Sequence, residues 1–120
     1  MEYKWKIKII NSHNKNPTVG VAPIDYDFND KNPLFSGWFF SCYNSCLYSR
    51  PPQNFNQKET NFKKVSNEII VVMNTLKKTL KFIIDNEDKG ESYTNIPLDK
   101  PLAPAVALFW CDDKVEITGC

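Results

Sequence analysis

Bulky apolar residues alternate with lysines at the start of the chain, in the stretch YKWKIKII at positions 3–10. Tyr3, Trp5, Ile7 and Ile9 share one side of this pattern. Successive side chains of a strand point to opposite faces, so the period of two predicts a strand with one buried face. Further short apolar runs follow, separated by turn residues at intervals of about eight to twelve positions, which is typical of an antiparallel β-sandwich.

The later strands are predicted from apolar or alternating runs bounded by turn signals. They are Val19 to Ala22, Trp38 to Tyr43, Cys46 to Tyr48, Ile69 to Asn74, Thr79 to Ile84, Ala105 to Phe109 and Lys114 to Thr118. The predicted core consists of Trp5, Ile7, Trp38, Phe40, Val72, Leu80, Phe82 and Val106.

The connections and one ambiguous segment complete the strand assignment. Asn44-Ser45 is predicted as a two-residue hairpin turn, Asn86 to Gly90 as a turn, and Arg50 to Lys64 as a long loop. The segment Asn67 to Asp85 also fits one stripe of an amphipathic helix. Its β-branched run Ile69 to Val72 favours two strands instead, because such side chains fit a pleated sheet better.

The composition limits the classes of function. A chain of 120 residues fits one domain, expected to span residues 1–120, and 42% hydrophobic residues are enough for one core. The formal net charge of +1 predicts no overall attraction to nucleic acid or to an anionic membrane. The N-terminus alternates charge and bulk and lacks the apolar core of a signal peptide, so a cytoplasmic location is expected.

The cysteines and the single histidine predict neither a metal site nor catalysis. Cys42 and Cys46 are spaced as Cys-x3-Cys, but a structural zinc site needs four ligands and no second closely spaced pair exists. His13 lies in a polar turn, where solvation is the default for its side chain. We therefore expect no metal, no cofactor, no catalytic residue and reduced thiols, with Cys42 acting as a small buried hydrophobe.

Several segments together resemble the SPRY domain family. They are Tyr3 to Ile7 (YKWKI), Val19 to Pro23 (VGVAP), Gly37-Trp38, Leu47 to Pro52 (LYSRPP), Val71 to Phe82 (VVMNTLKKTLKF), Gly90 to Leu98 and Ala103 to Ile117. The match covers almost the whole chain in the family's order. The resemblance implies an all-β, antiparallel sandwich of the SPRY-like, concanavalin or jelly-roll type, and it favours strands for the ambiguous segment.

Three residues and one region depart from the family pattern. Asn74 stands where the family usually has Asp, Lys78 where it usually has Gly, and Arg50 replaces the Gly of an "SGPP" segment. The last two positions lose a residue that adopts positive φ freely. Strands that often precede the opening aromatic strand are not matched, so the chain is either a fragment or a domain with exposed edges.

The resemblance also implies a function and a site. It implies a non-enzymatic module that recognises a peptide or protein partner through loops at one end of the sandwich, as a substrate-recruiting or signalling adaptor. In the family, the loop after the VGVAP-like strand and the turn before the last strand lie at the same end. The implied binding residues are Tyr26, Asp27, Phe28, Asn29, Asp30, Phe35, Phe109, Trp110, Cys111, Asp112 and Asp113. The alternative is a lectin-like sandwich that binds a carbohydrate through aromatic, Asp and Asn side chains.

Overall fold

The computed structural model describes residues 2–11, 17–23, 37–42, 44–50, 56–60, 62, 65, 67–98, 101–108 and 113–119. Within these residues the regular structure consists of strands alone. They are β1 (Glu2–Asn11), β2 (Thr18–Pro23), β3 (Gly37–Ser41), β4 (Cys46–Arg50), β5 (Asn56–Glu59), β6 (Glu68–Asn74), β7 (Thr79–Ile84), β8 (Glu87–Tyr93), β9 (Leu102–Ala107) and β10 (Lys114–Gly119).

The strands form two five-stranded sheets in which every pair is antiparallel. Sheet A has the order β10-β1-β6-β7-β8, and sheet B has the order β5-β4-β3-β2-β9. The last two strands, β9 and β10, belong to different sheets. The connection between them therefore crosses from sheet B to sheet A.

One core lies between the two sheets, and the period of two explains which residues enter it. In β1, Ile7 and Ile9 are buried while Lys4 and Lys8 are exposed. Phe40 of sheet B meets Phe82 of sheet A with their ring centroids 5.7 Å apart. This aromatic contact spans the sandwich and joins the faces that the alternating pattern makes apolar.

The predicted core residues separate into three groups. Ile7, Phe40, Leu80 and Phe82 are fully buried between the sheets, as predicted. Trp5, Trp38 and Val106 are only partly buried and pack against the margin of this core. Val72 is buried, but it alternates with Val71 and Met73, so it lies on the outer face of sheet A.

Two turns differ in length from their predictions. Ser41 pairs with Cys46, so residues 42–45 form a four-residue connection rather than a two-residue turn. Ile84 pairs with Glu87, which makes Asp85-Asn86 the turn and places Glu87 to Gly90 in strand β8. Asp85 and Asn86 have φ values of 50° and 70°, as a two-residue type I′ hairpin turn requires.

Strand β5 lies inside the segment that the sequence predicts as a long loop from Arg50 to Lys64. Its sequence is NQKE, without an apolar residue to signal a buried face. It pairs with β4 at the edge of sheet B, where an edge strand needs fewer core contacts.

The departures from the family pattern are accommodated locally. Lys78 adopts a φ of 56°, so a lysine occupies the left-handed conformation that glycine accepts more readily. The side-chain oxygen of Asn74 accepts hydrogen bonds from the backbone N–H groups of Leu76 and Lys77, at 3.1 and 3.0 Å. Arg50 is the last residue of β4 and pairs with Gly37, so its backbone is extended.

Gly20 marks a close approach of two backbones. A Cβ atom at this position would collide with the carbonyl oxygen of Trp38 and would lie 2.8 Å from the Cα of Phe39. Glycine is therefore required for β2 and β3 to pair as closely as they do.

Candidate functional site

The connections between strands gather at two opposite ends of the sandwich. Each strand is antiparallel to its neighbours, so the register assigns the strand termini of each sheet to two ends. Besides burial, the charge of Asp85, in the turn after β7 of sheet A, raises the pKa of the Cys42 thiol, which follows β3 of sheet B, so these two ends of the sheets lie together. At what we name the first end lie the termini Asn11, Thr18, Ser41, Cys46, Glu59, Glu68, Ile84, Glu87, Ala107 and Lys114. At the second end lie Glu2, Pro23, Gly37, Arg50, Asn56, Asn74, Thr79, Tyr93, Leu102 and Gly119.

Of the predicted binding residues, Asp113 alone is among those that the structure describes, and it is partly exposed at the first end. Tyr26, Asp27, Phe28, Asn29, Asp30, Phe35, Phe109, Trp110, Cys111 and Asp112 lie outside the described residues. Their role as a binding surface stays a prediction.

The register shows where the two predicted segments leave the sheet. In sheet B, Pro23 pairs with Leu102, whereas Thr18 pairs with Ala107. The connection 24–36 therefore starts at the second end, and the connection that contains residues 109–113 starts at the first end. The two departure points are separated by the length of β2, which is about 17 Å at 3.4 Å per residue.

Exposed apolar side chains border the segment 109–112 at the first end. Leu108, just before the segment, is 44% exposed, and Ile10, next to the β1 residue that pairs with Lys114, is 48% exposed. Asp113 follows the segment directly. The described residues thus place apolar surface and a carboxylate on either side of Trp110 in the chain, a combination found at protein-binding surfaces.

The second end carries an exposed apolar side chain that the sequence analysis did not single out. Leu76 is 85% exposed in the turn 75–78, between β6 and β7. Lys77 and Lys78 follow it and are also exposed. The sequence contains a signal for this exposure, because Leu76 is an apolar residue in a turn between two strands. A leucine in that position cannot reach the core.

The buried Cys42 has a structural role rather than a reactive thiol. Cys42 is fully buried, and neither Cys42 nor Cys46 takes part in a disulfide. Burial raises the pKa of the Cys42 thiol from 9.0 to about 12, and the negative charge of Asp85 adds to the effect. A thiol that stays protonated at neutral pH is neither a nucleophile nor a metal ligand.

Ligand clusters for a metal ion were sought among the described residues. That part of the chain contains no group of three or more His, Cys, Asp or Glu side chains placed to hold a metal ion. Nor does it contain a helix that is long and apolar enough to cross a membrane.

A partly buried tyrosine joins the two sheets. The Tyr93 hydroxyl, from β8 of sheet A, lies 2.8 Å from the carbonyl oxygen of Phe39 and 2.9 Å from that of Tyr48, both in sheet B. Burial raises the pKa of Tyr93, because its anion would lose hydration. The neutral hydroxyl therefore remains a donor that fixes one sheet against the other.

The ring of Phe39 is not available for binding. Phe39 is only 3% exposed, although it lies on the outer face of sheet B. Its ring covers Gly37, where a Cβ atom would lie 2.8 Å from the ring carbon Cε2. The ring is therefore packed, although its strand position on the outer face would allow it to contribute to a surface.

A solved structure has the same architecture as this chain. The SPRY domain of human HERC1 matches 99% of this chain and 74% of its own length, with a TM-score of 0.69 and 20% sequence identity. The chain has an SPRY-like fold. The sequence resemblance and the strand arrangement thus agree.

Sequence comparisons add no further assignment. No protein-family model matches the chain, and no curated protein matches it significantly. At 20% identity the structural likeness concerns the fold, so the function must be argued from the site.

Proposed function

We propose that this chain is a non-enzymatic protein-interaction module that recognises a peptide or protein partner. The observation that carries the proposal is the SPRY-like sandwich shared with the SPRY domain of human HERC1 over 99% of the chain. A rigid scaffold with functional connections at its ends is the usual design of a binding module. An adaptor role in the cytoplasm, recruiting substrates or signalling proteins, is the finer form of the same proposal.

The first end is the surface that we propose for the partner. Leu108 and Ile10 are exposed apolar residues at this end, and Trp110 lies in the connection that they border. An indole offers a large contact area with few rotamers to immobilise, which makes Trp a frequent binding hot spot. Asp112 and Asp113 next to it favour a partner that carries hydrogen-bond donors or positive charge.

The segment from Tyr26 to Phe35 is a separate part of the proposal. Its connection leaves sheet B at the second end, so we treat it as a second contact region and test it independently. Testing the two regions separately avoids the assumption that one residue of the partner contacts both of them.

The proposal predicts that Trp110→Ala weakens binding without unfolding the protein. A partner is first captured from cell lysate and identified, and its affinity for purified variants is then measured by calorimetry. Trp110→Ala should weaken binding by about 2 kcal/mol, which is roughly thirtyfold in Kd. Phe28→Ala tests the second region in the same assay.

Leu76→Ala is the matched control for truncating an exposed apolar side chain, because Leu76 lies in the β6–β7 turn of sheet A and belongs to neither proposed contact region. Its Kd should stay within about twofold of the unmodified chain, and all variants should keep a far-UV spectrum dominated by β-structure. Normal binding by Trp110→Ala would remove Trp110 from the site. Saccharide hits on a glycan array, with no protein captured, would replace the protein module by the lectin-like alternative.

A further inference from the structure

The outer face of sheet A carries an ordered arrangement of charges across four adjacent strands. Residues that pair across antiparallel strands share a face, so the register from β1 to β8 defines two rows of side chains on this face. The first row is Lys4, Val72, Lys81 and Glu91, and the second row is Lys6, Ile70, Ile83 and Asp88. Each row begins with a lysine on β1 and ends with an acid on β8.

Both acids stay on the outer face, although the pairing of β7 with β8 is irregular at two places. A carboxylate oxygen of Asp88 lies 2.8 Å from the Nζ atom of Lys81. The pKa of Lys81 is raised, most of all by its hydrogen bond with Asp88, and the charges of Asp88, Glu2 and Glu91 add to the effect. Asp88 and Glu91 therefore lie on the same side of the sheet as Lys81.

The charged ends of the two rows are accessible, and the middle of the second row is apolar. The side chains of Lys4, Lys6 and Asp88 are 47%, 44% and 49% exposed, and Glu91 is also exposed. The two isoleucines at the inner positions are partly exposed. An apolar centre with a charged margin is the usual layout of a protein interface.

The charges of this face are complementary to those of a second copy under one two-fold rotation. An axis that runs along the strands, midway between β6 and β7, places β6 of each copy over β7 of the other and β1 over β8. Lys4 then faces Glu91 of the second copy, and Lys6 faces Asp88 of the second copy. The isoleucines of the second row meet in the centre.

Other placements of the axis lose this complementarity. An axis above β6 would place Lys4 over Lys81 of the second copy, and an axis above β7 would place Ile70 over Asp88. An axis across the strands would place β1 over β1, so lysines would meet lysines. Facing like charges, or a carboxylate over an apolar side chain, are both unfavourable.

The inner positions one row nearer the first end, Glu68 and Asp85, are both acidic. Lys6 lies 3.6 Å from Glu68. The carboxylate of Asp85 accepts hydrogen bonds from the backbone N–H groups of Asn67 and Glu68, at 2.9 and 3.0 Å. These contacts within each copy reduce the repulsion between the two acids across the axis.

We propose that two copies of this chain associate face to face through the outer faces of their sheets A, with the two-fold axis between β6 and β7. The Lys4–Glu91 and Lys6–Asp88 pairs between the copies set the orientation. Packed sheets lie about 10 Å apart, a gap that two long charged side chains can span. The contact is small, so a weak and concentration-dependent dimer is expected.

Sedimentation equilibrium over a wide range of protein concentration tests the proposal. The unmodified chain should show a monomer–dimer equilibrium. Lys4→Glu and Glu91→Lys should each raise the dimer Kd at least about tenfold, because like charges then face each other twice. The double variant should restore the Kd to within about threefold, because the pairs re-form with reversed sign. Residues 4 and 91 lie three strands apart, about 14 Å within one sheet, so this rescue reports a contact between copies.

Lys77→Glu and Glu59→Lys are the matched controls, since they make the same charge changes at exposed residues outside the two rows. Each should leave the Kd unchanged within about twofold, because distant surface charges are screened. Thermal melts at low concentration establish that each variant folds. A chain that stays monomeric up to about millimolar concentration would overturn the proposal. So would a dimer that the double variant does not restore, or one that both controls weaken as much as Lys4→Glu does.

Discussion

Alkaline pH should destabilise this fold through the buried thiol of Cys42. The side chain is fully buried between the sheets, and burial raises the pKa of its thiol from 9.0 to about 12. In the unfolded chain the thiol is hydrated and releases its proton near pH 9. Between these two values the unfolded state binds fewer protons than the folded state, so stability falls as the pH rises.

The size of the effect follows from the two pKa values. The contribution of the thiol to the free energy of unfolding is fully present below pH 9. Between pH 9 and pH 12 it decreases by about 1.4 kcal/mol for each pH unit, because the unfolded chain then binds one proton fewer than the folded chain. From pH 8 to pH 10 the expected loss is about 1.4 kcal/mol. A domain of this kind has a total stability of about 5–15 kcal/mol, so this loss is measurable.

Urea unfolding at pH 8 and pH 10, in a reducing buffer, measures this loss. The Cys42→Ala variant is the control, because it keeps every other titrating group, including Tyr93. The unmodified chain should lose about 1.4 kcal/mol more than Cys42→Ala between the two pH values. Equal losses in the two proteins would refute the reasoning, because the Cys42 thiol would then titrate alike in the folded and unfolded states.

Two further substitutions test local features of the scaffold. Lys78→Gly should stabilise the chain by about 0.5–1 kcal/mol in thermal unfolding, because relief of the left-handed lysine outweighs the added freedom of glycine in the unfolded chain; Lys78→Ala should give no such gain. Tyr93→Phe should cost about 1–2 kcal/mol in urea unfolding, since the partly buried carbonyl oxygens of Phe39 and Tyr48 lose their shared donor, and an unchanged stability would contradict that bond.

The sequence predicts a strand well where one face of it enters the core. β1, β6 and β7 alternate apolar and polar residues or carry β-branched runs, and all three were predicted. β5 and the first part of β8 are polar edge strands, NQKE and EDKG, whose side chains carry no apolar period. Their pairing is determined by the neighbouring strand, so a local pattern cannot reveal it.

Turn lengths were less predictable because they depend on register. The Cys42–Ser45 connection has four residues because Ser41 pairs with Cys46, and Ser45 adopts a φ of 55° to close it. The sequence marks Asn44-Ser45 as turn residues but does not show how many neighbours join them. At the next hairpin, Asn74 performs the acceptor role that the family usually gives to Asp, since an amide oxygen suffices for it.

The family resemblance and the strand topology differ on the ends at which the two predicted binding segments leave the sandwich. In sheet B, β2 pairs antiparallel with β9, with Pro23 opposite Leu102 and Thr18 opposite Ala107. The connection after β2 and the connection after β9 therefore leave this sheet at opposite ends, whereas the resemblance implies that the two predicted segments lie at the same end. The binding surface that we propose at the first end depends on Trp110 and its neighbours, and the contribution of the connection after β2 is tested separately.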